Sequence, residues 1–157
     1  MIYFPNCKIN IGLRVLEKRM DGFHNIESVF YPLTLCDALE IRPLKEGTTK
    51  ITITGIDSNI SSKDVDKNTC IKAYNILKQD FPQIKAINIH LDKAIPTFAG
   101  LGGGSSDGSY TLKLLNFVFK LNLTNEDLLS YAQKIGSDCM FFINNNPAFV
   151  SGKGEKI

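Results

Sequence analysis

INIHLDKAIPTFAGLGGGSSDGSYTLKLLNFV, residues 87–118, changes period twice. Ile87, Ile89 and Leu91 alternate with polar neighbours, as on a half-buried strand. Pro96 and Ala99 then lead into a run rich in glycine, and Tyr110, Leu114, Leu115 and Val118 recur at helical spacing. A strand, a glycine loop and a helix N-terminus therefore follow in order. Consecutive glycines let several backbone N–H groups approach a phosphate because no Cβ stands in the way, and the helix start near Ser105 adds about half a positive charge. The loop is a candidate anion cradle. It is not a Walker loop, since Ser105 follows Gly104 where Lys is required, and it comes too late in the chain for a Rossmann fingerprint. Close helix–strand packing would also explain the glycines, and N-capping would explain Ser105, Ser106 and Asp107.

Upstream, Ile9, Ile11, Leu13 and Val15 alternate with Lys8, Asn10, Gly12 and Arg14, which predicts a strand with Lys8 and Asn10 on one face. Asp21-Gly22 marks a turn into a second apolar run, Ile26 to Leu33, so the two form a hairpin. Leu39–Ile41 and Ile51–Ile53 read as short strands. Asn68 can cap a helix carrying Ile71, Tyr74 and Leu77, with Pro82 just beyond its end. Downstream, Thr124 and Asp127 have the spacing of a capping box, and Leu128, Ala132 and Ile135 form the buried face of a third helix that Gly136 closes. Ala148–Val150 is a last strand, stopping against Gly152 and Gly154. This order predicts an α+β fold, a sheet packed with helices on one side.

At 157 residues, 43% hydrophobic and +2 in formal charge, the chain has the balance of one globular domain. A chain this long buries about 68–70% of its unfolded surface, so it needs no disulfide or metal staple. Its charges are mixed along the sequence without a basic stripe, which argues against nucleic acid as partner. No apolar run reaches about 18 residues and the N-terminus lacks a signal-peptide pattern, so no membrane association is expected. Cys7, Cys36, Cys70 and Cys139 form no Cys-x-x-Cys pair, and His24 and His90 stand far apart, so no metal site is expected. The cysteines read as buried hydrophobes of a reduced, cytoplasmic protein.

Lys8 and Asp138 would each pass singly as surface charges. Together beside a phosphate cradle they become a kinase's equipment: a carboxylate to take a hydroxyl proton, and a cation to offset the charge gathering at the transferred phosphoryl group. Four segments carry a family resemblance in the right order. They are FPNCKINIGL at residues 4–13, KRMDGFH at 18–24, Ile95-Pro96 with Gly100 to Asp107, and Gly136-Ser137-Asp138 with Phe141-Phe142. The chain resembles the GHMP kinase superfamily, in the branch marked by the Lys-Arg-x-Asp-Gly-aromatic-His segment.

The resemblance implies the ribosomal protein S5 domain 2-like fold of the GHMP N-terminal domain. It also implies ATP-dependent phosphorylation, with Mg²⁺, of the 2-hydroxyl of 4-diphosphocytidyl-2-C-methyl-D-erythritol, a step of non-mevalonate isoprenoid synthesis. By the same match Asp138 is the general base, Lys8 steadies the developing charge and Asn10 orients the substrate. Phe23 and His24 hold the cytosine, and Phe30 packs on the base. ATP would meet Asn68, Lys93, Pro96, Ala99, Gly100, Leu101, Gly102, Gly103, Gly104, Ser105 and Ser106. Asn6, Cys7, Phe98, Gly108 and Met140 depart from the family pattern: small residues are usual before Lys8 and near the loop, alanine at Gly108, proline at Met140. The resemblance spans nearly all of residues 1–157 but only an N-terminal half, which predicts that the C-terminal GHMP domain is absent. The exposed apolar face left behind would favour self-association. The alternatives are another GHMP small-molecule kinase and a non-catalytic nucleotide-binding fragment.

Overall fold

A computed structural model describes residues 1–22, 24–56, 67–152, 154 and 156. Strands β1 (Ile2–Tyr3), β2 (Asn6–Lys18), β3 (His24–Cys36), β4 (Ala38–Pro43) and β5 (Lys50–Gly55) precede helix α1 (Thr69–Asp80) and strand β6 (Ile87–Lys93). Helices α2 (Gly103–Phe119), α3 (Asn125–Ile135) and α4 (Cys139–Asn144) follow, and β7 (Ala148–Val150) comes last.

The strands form two sheets, where the sequence pattern suggested one. Four pair in the order β1-β4-β6-β5, with β5 parallel to β6 and the other pairs antiparallel. Period-two alternation shows why this sheet is covered on one side. Leu39, Ile41, Ile87, Ile89 and Leu91 point into a core shared with Leu77, Leu112, Leu115, Ala132 and Ile135 of the helices, while Asn88, His90 and Asp92 occupy the other face. The expected helices-on-one-side layering holds for this sheet.

The second sheet, in the order β2-β3-β7, is the predicted hairpin with one added strand. Its turn closes with the Gly22 N–H donating to the Arg19 carbonyl at 3.2 Å, Gly22 lying at φ 85°. The alternation in β2 breaks at Gly12. Ile11 pairs with Val29 but Leu13 pairs with Ser28, so Gly12, at φ 67°, is the extra residue of a bulge, and the Ser28 hydroxyl donates to its carbonyl at 2.7 Å. Directly paired residues share a face. Ile9 and Ile11 therefore lie with Tyr31, Val29 and Phe149, whereas Leu13 and Val15 move to the face of Asn10 and Phe30.

Asn68 caps α1, its Oδ1 accepting from the Cys70 N–H at 2.8 Å, and Thr124 and Asp127 form the reciprocal capping box of α3. Helix α4 was not legible in advance: six residues are too short to show a helical period. Cys7, Cys70 and Cys139 are buried as expected, but Cys36 is only partly so.

Candidate active site

The glycine loop joins β6 to α2, and its glycines divide by what surrounds them. A Cβ on Gly102 would lie 2.9 Å from Cζ of Phe142 and 3.1 Å from Cγ of Lys8; one on Gly103 would lie 2.8 Å from Cγ2 of Ile95. These two let the start of α2 press against the core. Gly100 and Gly104 have open space around them, and Pro96, Ala99 and Gly100 are exposed. Gly100 and Gly102 lie at φ 77° and 71°, and the exposed Phe98 shares this left-handed region at φ 61°. Packing and an open cradle, the two sequence readings, thus fall to different glycines of one loop.

Helix α2 begins with the Ser106 N–H donating to the Gly102 carbonyl at 2.9 Å, which leaves the earlier N–H groups of the turn without intrahelical acceptors. Within that turn the Ser106 Oγ is fully buried and has no hydrogen-bond partner among the described residues. A buried hydroxyl left open at a helix N-terminus suits a phosphate oxygen. Ser105 is partly buried and its carbonyl accepts from the Ser109 hydroxyl. Asn68 stands beside the loop as the cap of α1, where the next residue, Thr69, donates to the Gly104 carbonyl at 2.5 Å. Gly108 finds its reason here too: a Cβ would come 2.9 Å from the Cβ of Thr69, so the start of α1 requires a glycine in α2.

Lys93 is not open to a nucleotide base. Its buried Nζ lies between Asp37 and Asp107, donating to Oδ2 of each, at 2.8 Å to Asp107. The other oxygen of Asp37 accepts the N–H groups of Ala94 and Ile95 at 2.7 and 2.8 Å. The trio therefore ties the β3–β4 junction, the entry to the loop and the second turn of α2. Burial opposes the charge on Lys93, but attraction to Asp107 and the hydrogen bonds it donates to both carboxylates overcome it and hold its pKa above the usual lysine value. Burial pushes Asp107 up to about 7, against the pull of Lys93 and aided by repulsion from Asp37. Asp37 was missed in the sequence because a lone Asp between two strands looks like turn punctuation.

Lys8 and Asp138 come together across 130 residues of sequence. The buried ammonium of Lys8 lies 3.5 Å from Oδ2 of Asp138, donates to Oδ1 of Asn10 at 3.0 Å and sits 4.1 Å above the centre of the Phe30 ring. Its backbone N–H donates to the Leu101 carbonyl at 2.9 Å, so the strand carrying the cation is bonded to the glycine loop. Asp138 precedes α4 without capping it; its Oδ1 accepts from Ser137, and its side chain is 24% exposed, open enough to meet a ligand. Gly154 also belongs here, unsuspected from sequence: at φ 106°, a Cβ on it would lie 2.9 Å from Oδ1 of Asp138.

Phe30 is 2% exposed and meets Phe141 edge-on, so its ring is a floor beneath Lys8 rather than a surface for a base. The exposed His24 starts β3 at the turn end of the hairpin, opposite Lys18. The turn before it is braced by Arg19, which bonds Asp21 and the Asn25 side chain. Phe23 lies outside the described residues.

Residues 68–152 match the model of the GHMP kinases N terminal domain. The chain is 51% identical over 155 residues to 4-diphosphocytidyl-2-C-methyl-D-erythritol kinase of Bacteroides thetaiotaomicron, covering 99% of this chain and 56% of that protein. It is 49% identical to the protein of the same name from Cytophaga hutchinsonii, over 99% and 55%. Among solved structures it resembles a 4-(cytidine 5'-diphospho)-2C-methyl-D-erythritol kinase with a TM-score of 0.80 and 30% identity, over 99% of this chain and 53% of that one. The mevalonate kinase of Methanococcus jannaschii, at 18% identity and a TM-score of 0.68 over 99% and 54%, shares the fold. The chain spans about half the length of the curated relatives it matches.

Proposed function

The chain belongs to the GHMP kinases, and from that premise we propose that residues 1–157 form the ATP-binding and proton-accepting part of a kinase acting on the 2-hydroxyl of 4-diphosphocytidyl-2-C-methyl-D-erythritol. The observation that carries this reading is the Lys8–Asp138 pair bonded through the Lys8 backbone to the glycine loop. A carboxylate, an ammonium and a phosphate cradle on adjoining elements are what phosphoryl transfer to an alcohol requires.

In this reading the loop from Gly100 to Ser106 holds the phosphates of ATP, with the Ser106 hydroxyl and the N–H groups of the first turn of α2 as donors. Asp138 takes the proton of the substrate hydroxyl as its oxygen bonds to the γ-phosphorus, and the bond from that phosphorus to ADP breaks. Lys8 offsets the negative charge between nucleophile and phosphate, while Asn10, bonded to Lys8, orients the alcohol. Mg²⁺ would ride on the ATP phosphates, with Ser105 and Ser106 as the nearby protein oxygens, and would neutralise phosphate charge. Phe23 and His24 would hold the cytosine. Four unpaired thiols agree with a reducing, cytoplasmic setting. The open apolar face of the three-stranded sheet would take a further domain or a second copy.

Calorimetric titration with a non-hydrolysable Mg-ATP analogue, and separately with the diphosphocytidyl alcohol, tests the reading. Saturable binding of both is expected. Binding of ATP alone would keep a GHMP kinase but remove this substrate, and binding of neither would remove the assignment of the site to this chain.

A further inference from the structure

Asn6 is a nearly buried polar residue two positions before Lys8 on β2, and its partners give it a purpose. Its nearly buried Oδ1 accepts two hydrogen bonds at 2.9 Å, one from the hydroxyl of Tyr110 on α2 and one from Nδ2 of Asn145, which ends α4; Nδ2 also approaches the Tyr110 hydroxyl at 3.3 Å. The Asn6 amide donates to the Cys7 carbonyl at 2.9 Å, fixing its orientation. Asn145 is held at φ 54°, a left-handed conformation that glycine would adopt more readily, and its N–H closes α4 on the Phe141 carbonyl at 2.7 Å. From the other side Lys113 of α2 donates to the Phe142 carbonyl at 2.8 Å and lies 4.7 Å over the Tyr110 ring.

These contacts bear on the reacting pair through the chain. Lys8 stands two residues after Asn6 on β2, and Asp138 stands at the opposite end of α4 from Asn145. Helix α4 has six residues, about 9 Å at 1.5 Å per residue, too short to bend between its ends. We propose that Asn6, Tyr110 and Asn145 are positioning residues: a hydrogen-bonded clasp that sets the separation of Lys8 and Asp138 by tying the strand that bears one to the far end of the helix that bears the other. The proposal rests on the kinase reading for its consequence in turnover, but not for its geometry.

The clasp differs from a merely structural contact in what its removal does. Asn145→Gly relieves the left-handed backbone while it removes the amide, so the two effects on the melting temperature oppose each other. Tyr110→Phe removes one hydroxyl and keeps the ring. In crystal structures of the two variants the Lys8 Nζ to Asp138 Oδ2 distance is expected to open from 3.5 Å to beyond ion-pair range. In the full chain kcat falls about fivefold to tenfold while KM for ATP stays within about twofold, because geometry and not ground-state binding is lost. A separation unchanged in both variants would overturn the proposal, whatever the rates. Asp138→Asn, assayed alongside, keeps the two readings apart: if it leaves turnover intact the kinase assignment fails, while the crystallographic comparison still decides the clasp.

Discussion

Asp138 is the side chain whose replacement reports most directly on the chemistry. Asp138→Asn keeps the shape but cannot accept the hydroxyl proton, so turnover should fall by orders of magnitude, about 10²-fold to 10⁴-fold, with affinity for an ATP analogue nearly unchanged. Lys8→Ala should behave alike, and near-normal turnover in either variant would remove the assigned role. Gly154→Ala attacks the same carboxylate from outside: the φ of 106° strains an alanine, and its Cβ would meet Oδ1 of Asp138 at 2.9 Å. Loss of turnover with the melting temperature lowered is the expected result. Asp107 makes a pH prediction. Its folded-state pKa of about 7 lies above the ordinary 3.8, so between about pH 4 and pH 7 the folded chain keeps a proton that the unfolded chain has released. This group's contribution to stability is therefore fully present below that window and falls as pH rises through it. Asp107→Asn should flatten that part of the stability curve in urea melts at pH 4.5 and 7.5. At this scale Lys8 and Asn10 were legible as neighbours on one strand face, while the roles of Lys8, Asn10 and Asp138 came from the family resemblance. Asp37, Gly154 and the burial of Lys93 were not legible, since each depends on a neighbour far away in the chain.

Among the elements, α3 shows how much local chemistry alone can specify. Thr124 accepts from the Asp127 N–H, and Asp127 accepts from the Thr124 N–H at 2.9 Å, a box written within four residues. Thr124→Ala should cost about 1 kcal/mol of stability in urea unfolding, and an unchanged midpoint would show that packing of Leu128, Ala132 and Ile135 holds the helix without its cap. The hydrogen bonds to the Thr124 N–H and hydroxyl hold Asp127 below the ordinary carboxylate range, so the contribution of the box is present above that range and lost on acidification through the lowered value. Strand β2 shows the opposite case. Its alternation is plain in the sequence, but the bulge at Gly12 exchanges faces midway, and Leu13 and Val15 end on the side of Asn10. Only the pairing with β3 reveals it, because a glycine in a strand is compatible with either a regular or a bulged ladder.

For the whole molecule, the two sheets differ in how they are covered. The four-stranded sheet is backed by helices, but Ile11, Tyr31 and Phe149 stand exposed together on one face of the three-stranded sheet. An apolar face of this kind drives association. Sedimentation velocity of residues 1–157 should show concentration-dependent self-association, which Ile11→Thr with Phe149→Ser should abolish. A monodisperse monomer at all concentrations would remove the expectation. No described helix is long and apolar enough to cross a membrane.

The sequence by itself determined the strand–loop–helix unit around residues 87–118, the hairpin and the caps of α1 and α3, because each is encoded by period or capping chemistry over short range. Tertiary structure alone decided that the strands divide into two sheets and that Phe30 lies under Lys8 instead of facing a base. It also decided that Lys93 is enclosed by Asp37 and Asp107, that Asn145 donates to Asn6, and that Lys8 meets Asp138. Burial and cross-chain hydrogen bonds depend on which surfaces meet, and no local pattern carries that information.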